Sequence, residues 1–484
     1  MNVAQLIESS GLELVRFAWC DTHGIARGKT LTAAAATALL RKGGGIGMVS
    51  TLMLKDTSDR TVFKVFERGI AEDLPGFEFA NNLFLQPIEG SFKILPWAHK
   101  TGWIQCQPVF QDGTPVPYDT RRQLQLALAR LADKGLGMVC GLEVEFHIYR
   151  LRDPLHGPDL APETAAWPGP SPQVSMVHPG YNLLSEQCID MAEEPLRIVQ
   201  HTAQALGLPL LSLEIELGPS QVEAVFDATD ALTAADNMVL FRSAVRQALR
   251  RAGYHATFMC RPPFEQIMSS GWHLHQSLVH LDSGRSAFMR DTPAPGTGPT
   301  DARHTLSDLG AHYLAGLLEH GRGLTVLCTP TANGFGRFRP NALAPNAIVW
   351  GRDNRGAMLR VIGQAGDPGT RIENRVGEPT ANPYLYMASQ IHAGLRGVEQ
   401  VLAPPPATDS PYGGDTAPAQ GGPERVPNNL GDALTALQTD AAMREGFGDA
   451  FIRFYSRIKA SEQQRFTEAE DKMEFQRREY FARI

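Results

Sequence analysis

The run at 140–150, CGLEVEFHIYR, alternates between apolar and polar positions from Leu142 to Ile148. A period of two is that of a strand, with Glu143, Glu145 and His147 on one face and Val144, Phe146 and Ile148 on the other. The same alternation recurs. SLEIELGPSQVEAVF reads as a hairpin around a Gly-Pro turn that brings Glu216 and Glu223 near each other. SSGWHLHQSL aligns His273, His275 and Ser277 on one strand face, TRIENRVGEP aligns Arg371, Glu373 and Arg375, and GRFRP, read the same way, aligns Arg337 and Arg339. Upstream, LELVRFAWCDTHGIARGKT predicts two short strands around the turn DTHG, the start of a small N-terminal sheet domain. From Asp119 the pattern becomes LQLALARLADKG, a helix with Asp119 as N-cap candidate and Gly135 at its close. Residues 430–484 read as two or more charged amphipathic helices, expected as a solvated cap. The Pro-, Gly- and Ala-rich segments 151–180 and 403–427 are longer than simple connectors and have the character of lids.

A chain of 484 residues exceeds the usual size of a single hydrophobic core, so at least two domains are expected, with a boundary near 117. The net charge of −7 gives no electrostatic reason to expect nucleic acid or an anionic membrane as partner. With neither a signal-peptide pattern at the N-terminus nor an apolar run of membrane-spanning length, the expected location is the cytoplasm. Six scattered cysteines without a CxxC suit reduced thiols rather than disulfides or zinc.

Charge on a strand face changes this picture. One solvated strand explains any single motif, but not a recurring pattern of five glutamates and a histidine. Several oxygen ligands with an occasional imidazole suit a hard divalent cation, Mg²⁺ or Mn²⁺. Arginines on neighbouring strands add planar forks for carboxylate and phosphate oxygens. Together these point to phosphoryl-transfer chemistry.

The motifs GLEVEF, PSQVEAVF, HLHQSL, NRGAMLR and RIENRVGEPTANPYLYMA, and the chain end KMEFQRREYFARI, resemble in order the signatures of the glutamine synthetase family, type I-like in length. The resemblance implies an α+β protein: a β-grasp N-terminal domain over 1–117 and, over 118–484, a catalytic domain of antiparallel sheet with helices. It implies ATP and Mg²⁺ or Mn²⁺ as cofactors, and stacked rings of subunits, a dodecamer, with sites shared between neighbours. Carried over residue by residue, Glu145, Glu216 and Glu223 hold a first metal, and Glu143, His273 and Glu373 a second. His275 and Ser277 stand at the nucleotide, with Arg355 and Arg360 on its phosphates and Phe226 near its base. Arg337 takes the α-carboxylate of glutamate and Arg375 its γ-carboxylate, so Arg337, Arg375 and Arg360 are the catalytic candidates. His147 is left without a role.

The chain also departs from the family pattern. Where the family has a flap resembling R-x-x-P-G-Y-E-A-P, residues 337–345 read RFRPNALAP, which puts Leu343 at the position of the glutamate that deprotonates ammonium. The aspartate of E-S-D-M-x-L-x-P-D, contributed by a neighbouring subunit, aligns with Asn82. Ammonium and alkylammonium are cations at neutral pH and need negative charge and a base, whereas an aromatic amine is neutral and prefers an apolar pocket. Tyr181 matches the tyrosine of the ammonium pocket and suits an aromatic ring. The family's N-G-S-G-M-H reads here as Met268 to His273, MSSGWH, so Met268 replaces an asparagine that contacts glutamate.

The expected activity is therefore ATP-dependent formation of a γ-glutamyl amide from glutamate and a non-ammonia amine, aromatic or otherwise hydrophobic, through a γ-glutamyl phosphate. The alternatives are a polyamine, alkylamine or ethanolamine synthetase of the same superfamily, an ordinary glutamine synthetase, and a catalytically inactive structural relative.

Overall fold

The turn signal DTHG does what its residues dictate. Asp21 accepts hydrogen bonds from the main-chain N–H of His23 and Ile25 and from Arg27, and so reverses the chain between β1 (Leu14–Cys20) and β2 (Ala26–Thr32), paired antiparallel. With β3 (Ile46–Val49), β4 (Asn82–Pro87), β5 (Lys93–Ile94) and β6 (Thr101–Val109) they form a six-stranded sheet, ordered β2-β1-β6-β4-β3 with β5 on β6. β1 and β6 run parallel. This computed structural model describes residues 3–67, 74–152, 167–338, 344–411 and 422–484; Arg339 and Leu343 lie outside them.

The helix at Thr120–Ala132 begins as its sequence requires, with the Asp119 carboxylate accepting from the N–H of Arg122, and Gly135 follows at φ +72°. Beyond it the chain builds a nine-stranded sheet from β7 (Leu136–Leu151), β8 (Val174–Met176), β9 (Leu210–Ile215), β10 (Gln221–Asp230), β11 (Tyr254–Thr257), β12 (Trp272–His280), β13 (Trp350–Arg352), β14 (Leu359–Ile362) and β15 (Arg371–Asn374). Its order is β13-β14-β15-β12-β7-β10-β9, with β8 and β11 also on β7; among the described residues of this sheet, only β13 and β14 pair in parallel.

Alternation along β7 separates core from site. Leu142, Val144 and Phe146 are buried, Phe146 among Phe241 and Phe258. The apolar face of the sheet is backed by the helices Ala231–Arg251 and Pro383–Glu399, the second tied to β12 by a hydrogen bond between Gln390 and Gln276.

Two expectations are corrected. Arg337 is not on a strand: Gly334–Arg337 form a 3₁₀ turn, in which Gly334 lies so close to Glu378 that a Cβ there would approach its carboxylate oxygen to 2.4 Å. The C-terminal helices are not a solvated cap either. Asp449–Glu468 buries Phe451, Phe454 and Tyr455, and its Lys459–Glu462 ion pair is enclosed, with Tyr480 donating to Glu462.

Candidate active site

Strand register assembles the polar face. Glu223 on β10 stands opposite Glu145 on β7, Glu143 opposite His273 on β12, and His275 opposite Glu373 on β15, which in turn faces Arg360 on β14. The Gly-Pro turn adds Glu216, whose N–H donates to the Gln221 carbonyl at 3.0 Å as the hairpin closes. The predicted carboxylates thus lie on adjacent strands of one face.

His273 is the hub. Its Nδ1 lies 3.4 Å from Glu143 and 3.8 Å from Glu373, and its Nε2 3.9 Å from Glu145. Candidate ligand atoms of Glu143, Glu223 and His273 fall within 4.8 Å of one another, as do those of Glu143, His275 and Glu373. Burial, followed by the Arg375 guanidinium, pushes the His273 imidazole down to about 4, so it is neutral at physiological pH.

The carboxylates divide into two electrostatic classes. Burial, then the charges of Glu145, Glu143 and its other acidic neighbours, pushes Glu223 up to about 10, and Glu145 and Glu216 are raised for the same reasons. Against the opposing effect of burial, His273 and His275 hold Glu143 low, and His273 with Arg375 and Arg360 holds Glu373 low. One side of the site carries more negative charge than its own cations offset. The donor set is a cluster of hard oxygens with one neutral imidazole, which fits a divalent cation.

The arginines flank this cluster. Arg375 pairs with Glu373, whose second oxygen accepts from Arg360 at 3.0 Å; Arg360 also bonds Asp353. Arg337 is buried, with Nη1 donating to the carbonyls of Val376 and Gly377 at 2.9 Å each. A Cβ at Gly271 would meet Arg337 Nη2 at 2.6 Å and His273 Nε2 at 3.0 Å, so the glycine permits their approach.

A cavity of about 350 Å³ opens beside Glu143, lined by Gly141, Phe226, His275, Ser277, Thr370 and Arg371 among others. Arg371 donates to His275 Nδ1 at 3.0 Å, which leaves the imidazole hydrogen on Nε2, 3.0 Å from Glu143. Phe226 lines the cavity, but its ring packs edge-on to Phe241 at 4.8 Å and belongs to the core. A second cavity, of about 380 Å³, lies away from the carboxylates against the helix Ala231–Arg251; its Arg242 and Arg246 donate to main-chain carbonyls.

On the other side of Glu216, Tyr181 is exposed at φ +63°, its N–H donating to Leu217 O and its hydroxyl to Gln266 O. Met268, half-buried, packs against Gly218 of the same turn. Arg355 is exposed between β13 and β14, and Asn82 is exposed on β4 of the other sheet, apart from this cluster. Sequence reasoning missed Gln221 and Asp353. Gln221 shares a strand face with Glu223, a signal that was available; Asp353 carried none, because its partner Arg360 lies on the next strand.

The catalytic-domain model of glutamine synthetase matches residues 117–478. A γ-glutamylanilide synthase from Acinetobacter is 38% identical over 472 residues, covering 96% of this chain and 90% of the relative. A γ-glutamylethanolamide synthetase from Streptomyces coelicolor is 30% identical, covering 79% and 76%. A glutamine synthetase from Thermus thermophilus is also 30% identical, covering 79% and 81%. Among solved structures, one described as apo GmaS without ligand superposes with a TM-score of 0.76 at 26% identity over 98% of both chains; a GmaS complex with ADP gives the same score.

Proposed function

The chain belongs to the glutamine synthetase family, and from that premise we propose that its polar sheet face joins the γ-carboxyl of glutamate to an aromatic or similarly hydrophobic amine. It is an ATP-dependent ligase forming γ-glutamyl amides with amines other than ammonia. The observation that carries the reading is the convergence of Glu143, Glu145, Glu216, Glu223, His273 and Glu373 with Arg337, Arg360 and Arg375 on one face of the sheet.

Members of this family generally use ATP and a divalent cation, which when bound supply the phosphoryl group that activates the γ-carboxylate and the charge that offsets its phosphates. In this reading Glu145, Glu216 and Glu223 hold one Mg²⁺ or Mn²⁺, and Glu143, His273 and Glu373 a second. The raised carboxyl pKa values around Glu223 support it, because a site built for a cation is over-supplied with negative charge without one. His275 and Ser277 line the nucleotide cavity, and Arg360 and Arg355 meet the phosphates. Arg337 orients the α-carboxylate and Arg375 the γ-carboxylate.

The preference for a neutral amine rests on Leu343 and Asn82, where the family pattern has a base and an anion, and on Tyr181 and Met268 beside the Glu216 turn. The likeness to the anilide synthase supports the same choice. Family members commonly oligomerise; stacked rings in which Asn82 reaches a neighbour's site, a division of the chain at 117, and a cytoplasmic location complete the proposal. Among the described residues no helix is long and apolar enough to cross a membrane.

The test is product identification by mass spectrometry after incubation with ATP, Mg²⁺, glutamate and aniline. A γ-glutamylanilide formed one for one with ADP is expected. ADP release without an amide, or an amide formed only with ammonium, contradicts the reading.

A further inference from the structure

His147 lies on β7 two positions beyond Glu145, is fully buried, and has Gln221 as its cross-strand partner on β10. Main-chain atoms fix the polarity of the hydrogen bonds around this pair. Gly218 N–H donates to Gln221 Oε1 at 2.8 Å, so the amide nitrogen faces the other way, 2.8 Å from Glu145 Oε2 and 3.1 Å from Ser270 Oγ. Ser270 accepts from Gln221, and the tautomer that leaves no hydroxyl hydrogen unpaired has Ser270 donating to His147 Nδ1 at 3.2 Å. The imidazole is therefore an acceptor at Nδ1 and carries its hydrogen on Nε2, which is buried without a partner. An unpartnered buried N–H carries a cost that leucine or phenylalanine at 147 would not incur.

On the other end of this chain of bonds, Glu145 Oε2 accepts from both Gln221 at 2.8 Å and Gly271 N–H at 3.0 Å. Its Oε1 is left facing His273. We propose that His147 is a positioning residue which, through Ser270 and Gln221, determines the carboxylate oxygen that Glu145 presents to a divalent cation. The proposal rests on Glu145 being a metal ligand. Without an acceptor at 147 the Ser270 hydroxyl loses the partner that directs its hydrogen away from the Gln221 amide; the amide, still oriented by Gly218 N–H, loses Ser270 as its second acceptor, and Glu145 gains freedom to turn. Partners of this kind behind a metal ligand typically change affinity 10- to 100-fold.

Mn²⁺ affinity, measured by electron paramagnetic resonance alongside thermal unfolding, tests this. His147→Leu is expected to weaken binding about tenfold, whereas His147→Asn, whose Oδ1 stands near the position of the imidazole Nδ1, stays within about threefold. Ser270→Ala should match His147→Leu, and the double variant should lose no more than either. Wild-type affinity in His147→Leu or Ser270→Ala overturns the proposal, as does an equal loss in His147→Leu and His147→Asn, which would be a packing effect. Should His147→Leu fail to fold, Ser270→Ala decides. Glu145→Gln separates this from the parent reading: if it binds Mn²⁺ as tightly as wild type, Glu145 is not a ligand, whatever the His147 variants do.

Discussion

Glu223 sits where burial and the charges of Glu145, Glu143 and Glu216 all oppose ionisation, which pushes it up to about 10. At neutral pH the metal-free chain therefore keeps a proton there, and a cation binds only as that proton leaves. Mn²⁺ affinity should rise steadily from about pH 6 to pH 8, with proton release visible as a buffer-dependent enthalpy in calorimetry. A pH-independent affinity would contradict the assignment. Arg375 is the second residue-scale case. Its guanidinium is ion-paired with Glu373, and a lysine ammonium cannot reproduce the planar fork at a carboxylate. Arg375→Lys should lower kcat/KM about 10²-fold, the size expected for losing a preorganised charge-stabilising donor, with thermal stability little changed. Unaltered kinetics would remove Arg375 from the site. These two residues were legible in sequence because charge on an apolar strand is conspicuous. Gln221 shares the face of Glu223 and was within reach, but a neutral amide among carboxylates looks like filler until its contacts to Glu145 and Ser270 are seen.

Elements were legible where one local signal decides them. The alternation along β7, the Asp119 cap and the DTHG turn each act through the backbone, so residue type alone predicts them. Arg337 and Arg339 show the limit: R-x-R alternates like a strand, yet Gly334–Arg337 wind into a 3₁₀ turn against Glu378, a contact 44 residues away in sequence that no local pattern encodes. Helix packing obeys the same limit. Gly316 in the helix Asp308–Glu319 lies so close to the helix Pro383–Glu399 that a Cβ would reach Ala393 O at 2.2 Å and Gly397 N at 2.7 Å. Gly316→Ala must push apart the helix that backs β12, at a cost of about 3 kcal/mol, measurable as a lower urea midpoint with unchanged slope. A wild-type midpoint would show that the helices yield without cost.

At the scale of the molecule, the segment between β3 and β4 is joined to the C-terminal helices through ionic contacts that look like surface charge in the sequence. Arg465, on the helix Asp449–Glu468, donates to Asp56 at 3.1 Å and pairs with Glu479, which also accepts from Thr57 and Ser58. Both carboxylates are buried, so Arg465→Ala leaves them uncompensated and should cost about 3–5 kcal/mol in chemical denaturation. A change near zero would mean that water replaces the guanidinium. With the buried Phe451, Phe454 and Tyr455, that cluster ties the C-terminal segment, expected at the surface, into the core.

In the proposed reaction the nucleophile is a neutral amine. The direct measurement is kcat/KM for ATP- and glutamate-dependent amide formation with aniline, ethylamine, ethanolamine, putrescine and ammonium, at equal concentration and at two pH values. An arylamine should lead by a wide margin at both, with little turnover of the cations at neutral pH, because Leu343 offers them no base. If ammonium or putrescine leads at both pH values, a base other than residue 343 serves the site and the claim fails.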